Sequence, residues 1–312
     1  MLPVTAAIEP LRLANRTVGE EIYRWYTISM DGKPVMASNG TELHASLKAE
    51  ELPAKSSIIV CGGENIQNHN SKPVMNWLRR RSRLGDNIGS VCTGCHILAE
   101  AGLLDGYRCT IHWENLPSFA ENFPEIEVSG NLYEIDRNRC TCAGGTAALD
   151  MMLAIITAQQ GEDVAASVAD MIIHAPIRHH SEHQRRSLPA RIGTRHPKLN
   201  QIIQEMETNI EDPVRPAELA KRVGLSPRQI ERLFKRYLQR TPKRYYLELR
   251  LQKSRLLLLQ TDMSVINVAL SCGFSSPSHF SKCYRAFYGK TPYRERGTSS
   301  SNASGVTPGI AT

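Results

Sequence analysis

Two sets of side chains in this sequence have the types and spacing to do chemistry. The first is basic. Arg228, Arg232, Lys235 and Arg236 follow Ser226-Pro227 at helical spacing, with Gln229 among them. A guanidinium can chelate guanine O6 and N7, a carboxamide can pair with adenine N6 and N7, and an ammonium neutralises phosphate. Ser278, His279, Lys282 and Arg285 stand at matching places after Ser276-Pro277. The second set is nucleophilic. Ser90-Val91-Cys92-Thr93-Gly94 is a Ser-x-Cys-x-Gly elbow, in which a strand turns sharply into a helix and lifts the middle side chain clear. A thiol at a helix N-terminus is expected to have a lowered pKa.

The elements that must hold the basic set are written twice. Residues 219–237 and 268–288 each read helix, tight turn, helix, and close at Thr241-Pro242 and Thr291-Pro292. Gly224 and Gly273 fall where the chain reverses and needs a positive φ. Ser226 and Ser276 are N-cap residues with Pro at the next position, and Gln229 completes a capping box with Ser226. Ile230, Leu233, Phe234 and Tyr237 line one face, as do Phe280, Cys283, Tyr284 and Phe287, so the basic side faces out. A solvated helical hairpin would show such a face once. Two copies with matching caps and basic fronts describe a pair of helix-turn-helix units with recognition helices. Residues 243–260 lack Gly and Pro and read as one helix that spaces the two units.

Residues 214–292 resemble the DNA-binding domain of AraC-family transcription regulators. The resemblance rests on Ala220-x3-Gly224-x-Ser226, Ala269-x3-Gly273-Phe274, the run from Ser278 through Gly289, and Thr291-Pro292. It implies two recognition helices in successive major grooves of double-stranded DNA. The N-terminal part of such a helix lies deepest. Arg228, Gln229 and Arg232 are therefore expected at base edges, with Lys235 and Arg236 at phosphate. Ser278, His279, Lys282 and Arg285 form the second, less discriminating contact.

Charge follows the same division. Of 38 Lys and Arg, 19 lie in residues 196–312 against 9 Asp and Glu, so the excess over the whole chain (+7) is confined to the repeat region, where phosphates would be met. A length of 312 residues favours two domains, and 41% hydrophobic residues can build two cores. No apolar run reaches the length of a membrane span, and the N-terminus lacks the basic and apolar regions of a secretory signal. Eight cysteines in such a chain suggest reduced thiols. The expected location is the cytoplasm, at the nucleoid.

The N-terminal part alternates strands and helices. A helix covers residues 6–14, strands are expected over 23–30, 34–37 and 57–61, and a helix over 71–84 with Trp77 and Leu78 inward and Arg79-Arg80-Arg81 solvated. The Cys92 elbow follows, then a hairpin at 132–135 and 139–142, and a helix opened by Gly144-Gly145. The pattern implies an α/β sandwich with a mainly parallel sheet. It resembles the flavodoxin-like, class I amidotransferase-like (PfpI-type) domain found in a subset of AraC-family regulators. The carriers are Ile8-Glu9-Pro10-Leu11-Arg12, the elbow, residues 101–106, His112-Trp113-Glu114 and residues 141–150. Such domains begin with a strand before the first helix, so in-frame codons encoding an apolar strand are expected upstream. The expected organisation is residues 1–186 for ligand sensing and dimerisation and 187–213 for a linker and lead-in helix. Residues 214–296 are the all-α DNA-binding domain and 297–312 a disordered Ser/Gly/Thr-rich tail.

The resemblance implies a ligand pocket, with Glu9, Cys92, Thr93, His112 and Trp113 as its candidates, and regulators that answer arginine, glycine betaine or carnitine. Trp25, Trp77 or Trp113 could cap a quaternary ammonium. Catalysis would need a base beside Cys92. PfpI-type hydrolases place His directly after that Cys, where this sequence has Thr93. His180-Ser181-Glu182 could stand in, but lies in a polar His/Arg run. Cys92 with Cys95, and Cys140 with Cys142, are too irregularly completed for zinc, and no cofactor is expected. The sequence thus describes a transcription regulator, taken as an activator and homodimer that meets a small nitrogenous effector and RNA polymerase. The alternative is a Cys-dependent amidase with an accessory DNA-binding domain.

Overall fold

A computed structural model describes residues 1–64, 66, 71–185, 188–194 and 196–301. The chain divides into two units, Met1–Arg185 and Arg186–Thr312.

In the first unit, helix α1 (Leu2–Val18) ends at Gly19 in the left-handed conformation. Four two-residue strands follow: β1 (Ile28–Ser29), β2 (Val35–Met36), β3 (Glu42–Leu43) and β4 (Leu47–Lys48). The alternation over 23–30 predicts a longer strand, but only Ile28 and Ser29 pair, parallel to Leu47 and Lys48. At 34–37 only Val35 and Met36 pair, with β3.

The central sheet comes next in the chain: β5 (Ser57–Cys61), α2 (Lys72–Arg83), β6 (Asn87–Val91), α3 (Gly94–Glu100), β7 (Arg108–Thr110), α4 (Leu116–Asn122), β8 (Glu127–Ser129), β9 (Tyr133–Asp136), β10 (Arg139–Cys142), α5 (Ala147–Gln160) and α6 (Glu162–Ile172). Its order is β5-β6-β10-β9, parallel except for β9, while β7 and β8 form a separate parallel pair. β5 is an edge strand with Ile58 buried and Ile59 and Val60 half-buried, so residues 57–61 read as an apolar run. Trp77 and Leu78 of α2, Ile97 and Leu98 of α3, and Phe119 of α4 build one core. α1, α5 and α6 build the other through Ala6, Ala7, Leu13, Met151, Leu153 and Val168. This is the α/β sandwich.

The Arg79-Arg80-Arg81 run is not a solvated face. Only Arg80 is exposed. Arg79 donates to the carbonyls of Ala101 (2.8 Å) and Glu100 (3.2 Å), closing the end of α3. Arg81 is buried, pairs with Asp86 and donates to the carbonyls of Leu52 (2.9 Å) and Pro53. The carbonyls these two bind are 21 residues or more away in sequence, so helical periodicity alone could not reveal them.

The second unit is all helix: α7 (Leu188–Ile192), α8 (Pro197–Thr208), α9 (Pro216–Arg222), α10 (Pro227–Leu238), α11 (Pro242–Gln260), α12 (Val265–Ser271), α13 (Pro277–Tyr288) and α14 (Pro292–Ser301). It has two cores. The first joins Leu199, Ile202, Ile203 and Met206 of α8 to Leu219, Ile230, Phe234 and Tyr246. The second joins Leu251, Leu257 and Leu258 to Val268, Phe274, Phe280 and Tyr284. α11 therefore serves both, and its 19 residues span about 28 Å. The Ser-rich end expected to be disordered from residue 297 is helical to Ser301, and residues 302–312 lie outside the described residues.

Candidate nucleic-acid interface and effector pocket

α10 and α13 start as the capping residues dictate. Ser226 Oγ accepts from the Gln229 backbone N–H (3.3 Å), and Ser276 Oγ from that of His279 (3.3 Å). Ile230 and Phe234, and Phe280 and Tyr284, are buried beneath them. Arg228, Arg232, Lys235, Arg236, Ser278, His279, Lys282 and Arg285 are all exposed. The ion pairs sort the basic residues further. Arg222, Arg240, Arg244, Arg255 and Lys290 are held by Glu205, Glu218, Glu248 or Glu295. Among the described residues none of the basic side chains on the outer faces of α10 and α13 has a carboxylate partner, so their charge is available to an anion.

Gln229 is engaged in its cap. Its Oε1 accepts from the Ser226 backbone N–H at 2.7 Å, completing the capping box. Bidentate adenine recognition needs that same oxygen as acceptor. His279 is also engaged, with Nε2 3.4 Å from Cys283 Sγ.

Side chains of α11 tie the two helix-turn-helix units further. From α11, Arg250 donates to the carbonyls of Cys272 (2.8 Å) and Gly273 (2.7 Å), and its guanidinium lies 4.0 Å from the Phe274 ring. Tyr246 donates its hydroxyl to the Asn209 carbonyl. These contacts fix the turn before α13 to the helix that also packs α10.

In the first unit the elbow is formed. Cys92 has φ +59°, a left-handed conformation uncommon for a non-glycine residue, between β6 and α3. Gly144 leaves it room: a Cβ there would sit 2.7 Å from Cys92 Cβ. The thiol, however, is not activated. Burial pushes its pKa up, and the Thr93 N–H at the start of α3 only partly opposes this, while the Glu114 carboxylate adds to the rise. The lowered pKa expected from a helix N-terminus is overturned by burial. Its neighbour Cys61 is exposed at the end of β5. In a Cys61→Ser background, Cys92 is expected to alkylate slowly with iodoacetamide at about pH 7.5 and to keep gaining rate above about pH 9. Mass spectrometry of the Cys92 peptide measures this; a plateau below about pH 8 would mean an activated thiolate.

Thr93, where a base would stand, donates its hydroxyl to the Gly63 carbonyl at 2.7 Å and anchors a loop. Glu182 accepts from the His179 backbone N–H at 3.0 Å, a turn contact, and among the described residues no carboxylate orients His180. His112 is half-buried, with Nδ1 3.7 Å from Glu114, and burial lowers its pKa. Its ring lies 5.6 Å from that of Trp113. Glu9 is paired with Arg12, which lowers its pKa and occupies both carboxylate oxygens. Trp77 is buried, donating to the Ala49 carbonyl at 3.1 Å, and Trp25 is exposed. Cys95 is separated from Cys92, wholly within the core against Cys109. Among the described residues no group of three or more His, Cys, Asp or Glu is placed to hold a metal.

Residues beyond the sequence reading complete this region. Asp150 is wholly buried and binds His174 and Arg178. Gln184 donates to Thr110 Oγ1 (2.9 Å) and to the carbonyls of Ile111 (2.9 Å) and Asn131 (2.8 Å). Arg185 lies 4.4 Å above the Trp113 ring. A His/Arg-rich composition gave no signal for these long-range contacts.

Comparison with known proteins agrees with this architecture. Residues 219–297 match the Helix-turn-helix domain family and residues 5–158 the DJ-1/PfpI family. The HTH-type transcriptional regulator GbdR of Pseudomonas aeruginosa is 47% identical over 296 residues, covering 95% of this chain and 81% of that protein. The HTH-type transcriptional regulator CdhR of the same species is 43% identical over 97% of this chain and 90% of its own. A crystal structure of an AraC family transcriptional regulator from Pseudomonas putida superposes with a TM-score of 0.50 at 28% identity, over 55% of this chain and 92% of that one. The chain belongs to the AraC-family HTH-type transcriptional regulators that carry an N-terminal DJ-1/PfpI domain, and is a DNA-binding regulator.

Proposed function

We propose that the chain is an activator that reads its operator mainly through α10 and adds affinity through α13. In this reading the first unit binds a small nitrogenous effector without turning it over. The observation that carries the DNA assignment is the set of exposed basic side chains on α10 and α13 that, among the described residues, no carboxylate engages. Arg228 and Arg232 face base edges, Lys235 and Arg236 phosphates, and Lys282 and Arg285 phosphates of the next groove. With Gln229 held in its cap, α10 reads through two arginines. The raised Cys92 thiol and the anchored Thr93 favour a pocket over a hydrolase. Homodimerisation through the first unit, contact with RNA polymerase and a cytoplasmic location belong to the same reading. No helix among the described residues is long and apolar enough to cross a membrane.

Binding to a panel of mutated operators at several salt concentrations tests the assignment. Arg232→Ala is expected to cost roughly 1–3 kcal/mol at the cognate site and to relax preference at one base position. Lys282→Ala is expected to weaken all sites about equally and lower the salt slope by about one unit. Uniform loss for Arg232→Ala, or site-selective loss for Lys282→Ala, reverses the roles. Turnover of an amide substrate lost in Cys92→Ser would favour the enzyme instead.

A further inference from the structure

The two turns of the repeat are closed in the same way, by cations from different helices. Val223 and Cys272 hold the same place, each the C-cap of its helix (α9 and α12) and the residue before the turn glycine. The last carbonyls of a helix have no partner within it and attract positive charge. Lys198, near the start of α8, donates its ammonium to the Val223 carbonyl at 2.6 Å. Arg250, in the middle of α11, donates Nε to the Cys272 carbonyl at 2.8 Å and Nη2 to that of Gly273 at 2.7 Å. Each cation comes from the helix before its helix-turn-helix and holds the turn that leads into a recognition helix.

Both cations stand on fixed backbone. Leu199, next to Lys198, is wholly buried with Ile202, Ile203 and Met206 against Leu219, Ala220 and Val223. Leu251, next to Arg250, is buried with Cys272 and Phe274, and the Arg250 guanidinium lies 4.0 Å from the Phe274 ring. The donors lie 25 and 22 residues before their carbonyls, so the sequence repeat, which starts at residue 219, does not carry them. Lys198 is exposed and Arg250 half-buried, so water weakens the first clamp more than the second.

We infer that Lys198 and Arg250 are positioning residues for DNA reading, Lys198 acting through α10 and Arg250 through α13. Each keeps its turn in the arrangement that presents the recognition helix to the groove. Losing the clamp lowers the fraction of protein ready to bind, and apparent affinity falls with that fraction. The inference rests on α10 and α13 being the reading helices, and adds what sets each of them.

Double-mutant cycles test it, with the full chain titrated against a duplex that it selects from random sequence. Lys198→Met is expected to cost about fivefold in affinity in wild type and in Lys282→Ala, but less than about twofold in Arg232→Ala, because it acts through the helix that carries Arg232. Arg250→Met is expected to cost about tenfold in wild type and in Arg232→Ala, and about threefold in Lys282→Ala. The salt slope of Lys198→Met is expected to match wild type, since the ammonium lies on a carbonyl and not on a phosphate. Lys198→Arg is expected to stay near wild type, and Arg250→Lys, which loses the paired donors, to recover only part of the affinity. Circular dichroism at the helical band shows that each variant is folded. No loss in Lys198→Met, the same loss in all backgrounds, or a salt slope lower by about one unit overturns the first clamp. No loss in Arg250→Met, or the same loss in all backgrounds, overturns the second. Either result leaves α10 and α13 as the reading helices. Arg232→Ala and Lys282→Ala both without effect would overturn that reading and the clamps with it.

Discussion

Replacing Asp150 by alanine is expected to loosen residues 174–185 from the rest of the first unit and to lower its unfolding free energy by about 3 kcal/mol, at the lower end of the range for breaking a buried ion pair. Asp150 is wholly buried in α5. Its Oδ1 accepts from the Arg178 backbone N–H (2.8 Å) and lies 2.9 Å from His174 Nε2, and its Oδ2 accepts from Arg178 Nε (3.0 Å) and Nη2. Alanine would leave these donors facing an apolar helix, with Arg178 Nη2 keeping Thr146 Oγ1 at 2.7 Å. Water can reach Arg178, whose side chain is 30% exposed, which keeps the loss near the lower end. Asp150→Asn retains one acceptor and is expected to lose about half as much. All three tryptophans, Trp25, Trp77 and Trp113, precede residue 186, so fluorescence during urea unfolding of the full chain reports this unit alone. A midpoint unchanged in Asp150→Ala would mean that the carboxylate does not hold the segment.

What was legible in the sequence was local. Ser226, Pro227, Gln229 and Gly224 announce the start of α10 because a cap, a fixed φ and a left-handed turn are chosen by the residue itself. The elbow at Cys92 is announced by small neighbours for the same reason. What was missed depends on residues far apart in the chain. Arg81 meets the carbonyls of Leu52 and Pro53, and Arg185 meets Trp113. No period in the sequence encodes either contact. One reading failed through competition between a local rule and its surroundings. The helix N-terminus does lower the Cys92 pKa, but burial outweighs it. Gln229 is assigned both to its cap and to adenine, and in the free protein its oxygen is in the cap.

The repeat itself supplies the sharpest contrast in expected effect. Gly224 and Gly273 hold the same place in the two helix-turn-helix units, and both are left-handed, with φ +66° and +73°. Alanine at either is expected to cost about 1 kcal/mol from that conformation alone. Their surroundings differ. A Cβ on Gly224 would meet only the flexible end of Lys198, at 4.0 Å. On Gly273 it would lie 2.6 Å from the Ile210 carbonyl oxygen and 2.6 and 2.7 Å from Pro213 Cγ and Cδ. Neither a backbone oxygen nor a proline ring can rotate away, and Arg250 holds the Cys272 and Gly273 carbonyls from α11, so the turn cannot shift freely. Overpacking of this kind adds about 1–3 kcal/mol. Gly273→Ala is therefore expected to lose about 3 kcal/mol and Gly224→Ala about 1 kcal/mol. The second unit has no tryptophan, so circular dichroism at the helical band follows its unfolding while tryptophan emission shows the first unit unchanged. Operator binding should fall further in Gly273→Ala, because this turn sets α13 against the segment between α8 and α9. Equal losses in the two variants would show that the close approach of Ile210 and Pro213 to the second turn does not exist in solution.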